Sequence, residues 1–185
     1  MNINETGKFV AKVKKVGGSL VCILAVISIV GCGTSGSSNP TKTPVAESKQ
    51  PVVVTVDVAA LAKELFEKGD YSDELTELED DMFEAVFQTV DIGMLTKKSA
   101  YVGSGASAEQ LVVAEVKDEA NANKVKEALG QKLKDDIDMN QNYLPQEIKK
   151  LENPVLVVKG KYVILCVSND NNKIEQVLLK KGLIS

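Results

Sequence analysis

Two neighbouring segments, Val155 to Val158 and Lys161 to Ser168, constrain this chain more than any other feature. Both are apolar almost without interruption, and Lys159-Gly160 joins them at hairpin spacing. A strand with one wetted face alternates apolar and polar residues, and these do not, so their sheet must be covered on both faces. Helical periodicity supplies the covers. Asp57 is placed to cap a helix whose Val58, Leu61, Leu65 and Phe66 share a face and which ends at Gly69. Met82, Phe83, Val86 and Phe87 mark a second, short helix. Asp118 precedes the longest, reaching about Asn140, with Ala122, Val125, Leu129, Leu133 and Ile137 at three- and four-residue spacing. Gly130 inside it costs about 1 kcal/mol relative to Ala, so packing must hold that helix. A last helix is expected from about Asp170 to Lys181. Further strands are expected at Ser99 to Val102 and Gln110 to Lys117, and Val52 to Val56 is either a strand or an extended lead-in. The fold class is α+β: one domain over 52–185, a mixed four- or five-stranded sheet packed with helices.

Composition excludes much chemistry. The 185 residues include 22 basic side chains, all Lys, and no Arg, His or Trp. Without His there is no Ser-His-Asp or Cys-His relay and no imidazole base at neutral pH. Without Arg there is no bidentate clamp for phosphate, and a pI near 5.1 gives no footprint for nucleic acid.

Residues 1–31 read as an address. Lys8, Lys12, Lys14 and Lys15 form a basic lead, and Val16 to Val30 is an uncharged, mostly apolar stretch of 15 residues. A helix needs about 20 residues to span a bilayer, so a secretory leader fits better. The stretch ends Ile29-Val30-Gly31-Cys32. That ending resembles the lipobox of bacterial lipoproteins, which implies a diacylglycerol on the Cys32 thiol, cleavage before Cys32 and acylation of the new amine. Residues 32–51 then make a linker rich in Gly, Ser, Thr and Pro, read as a flexible tether. Cleavage would remove four of the 22 Lys and one of the 26 acidic residues, leaving a net charge of −7. Cys166 would be the sole remaining thiol, a small buried hydrophobe with no disulfide partner.

A second resemblance lies in the domain. Glu74-Leu75-Thr76-Glu77-Leu78, Ala100 to Ala106, Ala108-Glu109, a long polar helix, Tyr143-Leu144-Pro145 and Lys159-Gly160-Lys161-Tyr162-Val163 together resemble a family of bacterial lipoproteins catalogued as a domain of unknown function. The likeness covers about residues 57 to 182. It implies a secreted, membrane-tethered module and no activity.

Three motifs invite sharper readings. Gly103 to Ala108 matches the GxGxxA dinucleotide fingerprint, but Leu111-Val112-Val113 reads as strand where that fingerprint needs a helix, so a connection between strands is preferred. Asp136 to Glu147 has oxygen ligands at calcium-loop spacing, yet Gln141 replaces the Gly of the sharp turn, and a polar helix end before Pro145 is preferred. The acidic run Asp70 to Glu84 could gather a cation or a basic partner; a solvated face is preferred. No catalytic, cofactor-binding or metal-binding residue is assigned, and no cofactor is expected.

A candidate binding edge follows from connectivity. A helix from Asp118 to Asn140 spans roughly 34 Å, against roughly 26 Å for an eight-residue strand, so it runs back at least to the strand's start. Tyr143 then arrives beside Gly103 to Ala108, and the strand ending at Ser168 delivers Asn169, Asp170, Asn171 and Asn172 to the same end. Ser104, Ser107, Tyr143, Asn169, Asn171 and Asn172 are the expected edge residues. The function expected is a non-enzymatic binding or interaction module, held on the outer face of the cell membrane by Cys32. Its partners would be the bilayer and an extracytoplasmic protein or small ligand, with no nucleic acid. The alternative is an accessory ligand-binding lipoprotein of a transporter or sensor. A metal-assisted hydrolase built on carboxylates alone ranks last.

Overall fold

The hairpin forms as the apolar runs require. A computed structural model describes residues 54–185; the leader 1–31, Cys32, the linker to Pro51 and Val52-Val53 lie outside the described residues. Five strands, β1 (Thr76–Glu77), β2 (Leu95–Val102), β3 (Gln110–Val116), β4 (Val155–Lys159) and β5 (Tyr162–Val167), form one sheet in the order β1-β2-β3-β5-β4. Five α-helices accompany it: α1 (Val58–Lys68), α2 (Asp80–Val86), α3 (Ala122–Asn140), α4 (Ile148–Glu152) and α5 (Asn171–Lys180). The domain is α+β.

Every neighbouring pair of strands is antiparallel, so the sheet is not mixed. The connection through α3 and α4 carries the chain past β3 to the outer edge, where β4 points in the same direction as β3. A tight hairpin at Gly160, whose φ of 55° suits glycine, then turns β5 back into the slot between them. A strand filling that slot pairs antiparallel with both neighbours.

Alternation along the strands sends side chains into two cores. On one face, Leu111, Val113, Ile164 and Cys166 pack beneath α1 and α5. On the other, Val112, Ala114, Val163, Leu165 and Val167 pack beneath α2, α3 and α4. All six residues of β5 are buried, and each fully buried aliphatic side chain contributes about 1.5–3 kcal/mol.

Helix ends follow local chemistry. The Asp57 carboxylate accepts from the Ala60 amide at 2.9 Å, and α1 stops at Gly69, where a Cβ would sit 2.3 Å from the Tyr71 ring. Asp118 caps a 3-10 turn at Glu119–Asn121 that leads into α3. Val54 to Val56 forms no strand, and the Val56 amide donates to Tyr162 Oη at 3.1 Å. The chain therefore enters the domain at the hairpin end of the sheet. The opposite end holds the β2–β3 loop, the C-termini of α1 and α3, and the end of β5.

Candidate functional site

At that opposite end a polar network ties the loops together. The Glu109 carboxylate, 2 % exposed, accepts from the Ser72 amide at 2.8–2.9 Å, the Asp73 amide at 3.0 Å and Lys150 Nζ at 2.8 Å. Lys150 Nζ also lies 2.9 Å from Glu147 Oε2, and that same oxygen accepts from the Ala108 amide at 3.2 Å. Beside it, Asp136 Oδ2 accepts from Gln110 Nε2 at 2.8 Å and Oδ1 from Lys132 at 2.5 Å. Among the described residues no buried side-chain polar atom lacks a partner. Burial alone would raise the Glu109 pKa, but the Lys150 ammonium and the Ser72 and Asp73 amides overcome it and hold the carboxyl below its ordinary value. Burial likewise works against the Lys150 charge, and Glu109 and Glu147 reverse that effect, so its pKa is raised. Lys150 is thus a held ammonium rather than a base.

Asp73 organises the β2–β3 loop. Its Oδ2 accepts from the Ser104 amide at 2.7 Å and from Ser104 Oγ at 2.9 Å, and lies 3.3 Å from Ser107 Oγ. The Ser104 amide, then its hydroxyl, lower the Asp73 pKa. Gly103 is needed here because a Cβ would come within 2.7 Å of Asp73 Oδ2 and 2.9 Å of Ser107 Oγ. The loop joins two antiparallel strands and no helix follows it, so the glycines serve a connection.

The expected edge residues do gather at one end, but most are spent internally. Ser104 and Ser107 bind Asp73. Asn169 Nδ2 donates to Ser72 Oγ at 2.8 Å, Asn171 Nδ2 to the Asn153 carbonyl at 2.6 Å, and Asn172 Nδ2 to Asp170 Oδ1 at 2.9 Å. Tyr143 is the exception, 85 % exposed. Asp136 and Glu147, the two ends of the calcium-like spacing, are engaged in separate clusters. Among the described residues no group of three His, Cys, Asp or Glu side chains is placed to hold a metal. The acidic run is mostly exposed, with Thr76–Glu77 forming the short edge strand β1.

The Glu109–Lys150–Glu147 triad was not foreseen. Its one sequence signal is a carboxylate two residues before the apolar run Leu111 to Ala114 of β3, a charge that must find a cation if it is buried. Cys166 Sγ lies 3.3 Å from Tyr71 Oη, and burial pushes the thiol up to about 11, so it is no ready nucleophile.

Fold and network together define a small α+β module whose reactive side chains are mostly committed to holding loops in place. Residues 67–168 match the model of a domain of unknown function (DUF4358), and the chain belongs to that family. No curated protein and no solved structure matches it.

Proposed function

We propose that this chain is a lipid-anchored, extracytoplasmic binding module, joined to the membrane through Cys32 and making contact through the loop edge that carries Tyr143. The observation that carries this reading is Ile29-Val30-Gly31-Cys32 at the end of an apolar stretch behind four Lys. Two acyl chains anchor stably where one gives only marginal binding. The exposed Tyr143 on the loop edge supplies an aromatic side chain for such contact. Detergent phase partitioning tests it: the wild-type protein should enter the detergent phase, and a Cys32→Ala chain made without its leader should stay aqueous. Equal partitioning of a Cys32→Ala chain whose leader has been removed would contradict it.

A second reading, an accessory ligand-binding lipoprotein, draws on a groove of about 460 Å³ lined by Val58, Ile92, Leu95, Lys97 and Lys98 among others. That volume suits a small ligand. The groove is flanked by both Asp57 and Asp80 as well as the two lysines, so its charge favours neither a cation nor an anion.

A further inference from the structure

Three of the four tyrosines are committed. Tyr71 Oη lies 3.3 Å from the Leu65 carbonyl and from Cys166 Sγ, Tyr162 Oη accepts from the Val56 amide, and Tyr101 stacks on Phe66 with ring centroids 4.8 Å apart. Tyr143 differs. It is 85 % exposed, and four residues before it Met139 is 68 % exposed. The Tyr143 and Leu144 amides both donate to the Asn140 carbonyl, so a tight turn at the end of α3 holds this segment rather than a loose loop. Side chains so exposed add little to the core. Tyr and Met are enriched where proteins meet, and aromatic anchors carry a large share of binding energy there.

The charge around them is net negative. Asp135, one helical turn before Met139, and Asp138 are exposed and make no ion pair, and at the same end of the sheet Glu74 and Glu152 are likewise exposed and unpaired among the described residues. Most lysines nearby are taken: Lys132 by Asp136, Lys150 by Glu109 and Glu147, and Lys173 by Asp70, leaving Lys134 and Lys149. Anionic headgroups would be repelled by such a surface, and a cationic one attracted.

We propose that Met139 and Tyr143 anchor a protein-docking surface whose partner presents an apolar pocket edged by Lys or Arg. The proposal rests on the binding-module reading above and adds the chemistry of the partner. Its acidic surroundings speed and orient encounter, while the two apolar side chains supply the contact.

Photo-crosslinking in cells that make the protein tests this. The full chain carries p-benzoylphenylalanine at Tyr143, or at Leu179, a half-exposed residue of α5, as the control. The expected result is an adduct from position 143 and not from 179, mapped to a Lys- or Arg-rich segment of a different protein. It should fall about ten-fold or more when Asp135→Lys and Asp138→Lys are combined, because like charges across an interface repel. The milder Asp135→Asn, Asp138→Asn pair should lower it less, and a thermal melt of each variant confirms that the domain remains folded. An adduct to a second copy of this chain or to lipid, an adduct that charge reversal leaves undiminished, equal adducts from both positions, or none from 143 would each overturn the proposal. Fractionating the same cells reads the anchor independently. Membrane retention without an adduct overturns the docking surface alone, and an adduct made by a protein found in the soluble fraction overturns the anchor alone.

Discussion

Replacing Lys150 by Met removes the cation that two buried carboxylates share. The Glu109 side chain is wholly buried, that of Glu147 is 8 % exposed, and Lys150 itself is 15 % exposed. Removing one partner of a buried pair costs about 3–5 kcal/mol, because it strands an uncompensated charge. Here the lower value applies: Glu109 keeps the Ser72 and Asp73 amides as donors. A loss of about 3 kcal/mol lowers the Tm of a domain this size by roughly 12 °C, at about 4 °C per kcal/mol. The pH dependence has a definite sign. In the wild type the Glu109 pKa is lowered, so its stabilisation is present above the ordinary carboxylate range and fades as pH falls through the folded value. The Lys150 pKa is raised above 10.5, so its share is present below that value and lost only as pH rises through the folded value. In Lys150→Met, burial acts on Glu109 without the ammonium and its pKa rises. The variant then loses less stability than the wild type on acidification, so its deficit should narrow as pH falls through the carboxylate range. Thermal melts followed by far-ultraviolet circular dichroism suit a chain without Trp. A Tm within about 2 °C of wild type, or a deficit that widens on acidification, would refute the reasoning. Adding Glu109→Gln to Lys150→Met should recover part of the loss, since a neutral side chain no longer leaves a charge stranded.

Gly130→Ala should stabilise the domain by about 1 kcal/mol in urea denaturation, because a Cβ there meets only Leu156 Cδ2 at 3.9 Å while the helix gains a better former. Cys166, fully buried with its thiol pushed up to about 11, should react slowly with a thiol reagent in the native protein and promptly after denaturant. Millimolar calcium should leave the Tm unchanged, since Asp136 and Glu147 are engaged with Lys132 and Lys150; a rise abolished by Glu147→Gln would show that the segment binds calcium after all.

What could be read from the sequence was local. Asp57 and Gly69 bracket α1, the α3 stripe buries Ala122, Val125, Leu129 and Leu133, and the unbroken apolar runs correctly require cover on both sheet faces. Long-range pairing was harder. β2 starts at Leu95 rather than Ser99, because Thr96, Lys97 and Lys98 lie along a stretch of the strand that β1 leaves unpaired and so carry the polar residues of a loop. β1 itself hides in an acidic run, two residues fixed only by their partners Tyr101 and Val102. The antiparallel sheet depends on where β4 lands after the helical connection, which no local pattern records. Connectivity brought the edge residues to one end, but it could not show that Asp73 and Ser72 would occupy Ser104, Ser107 and Asn169. Nor could it show the ion triad, in which Glu109 meets Lys150 from 41 residues away in the chain.

Mass spectrometry of the mature N-terminus, on protein taken from membranes without acid or base treatment, tests the central claim most directly. The account predicts a first residue of Cys32 bearing a diacylglyceryl group on its thiol, with residues 1–31 gone. A chain that begins at any other residue, or at an unmodified Cys32, would contradict it.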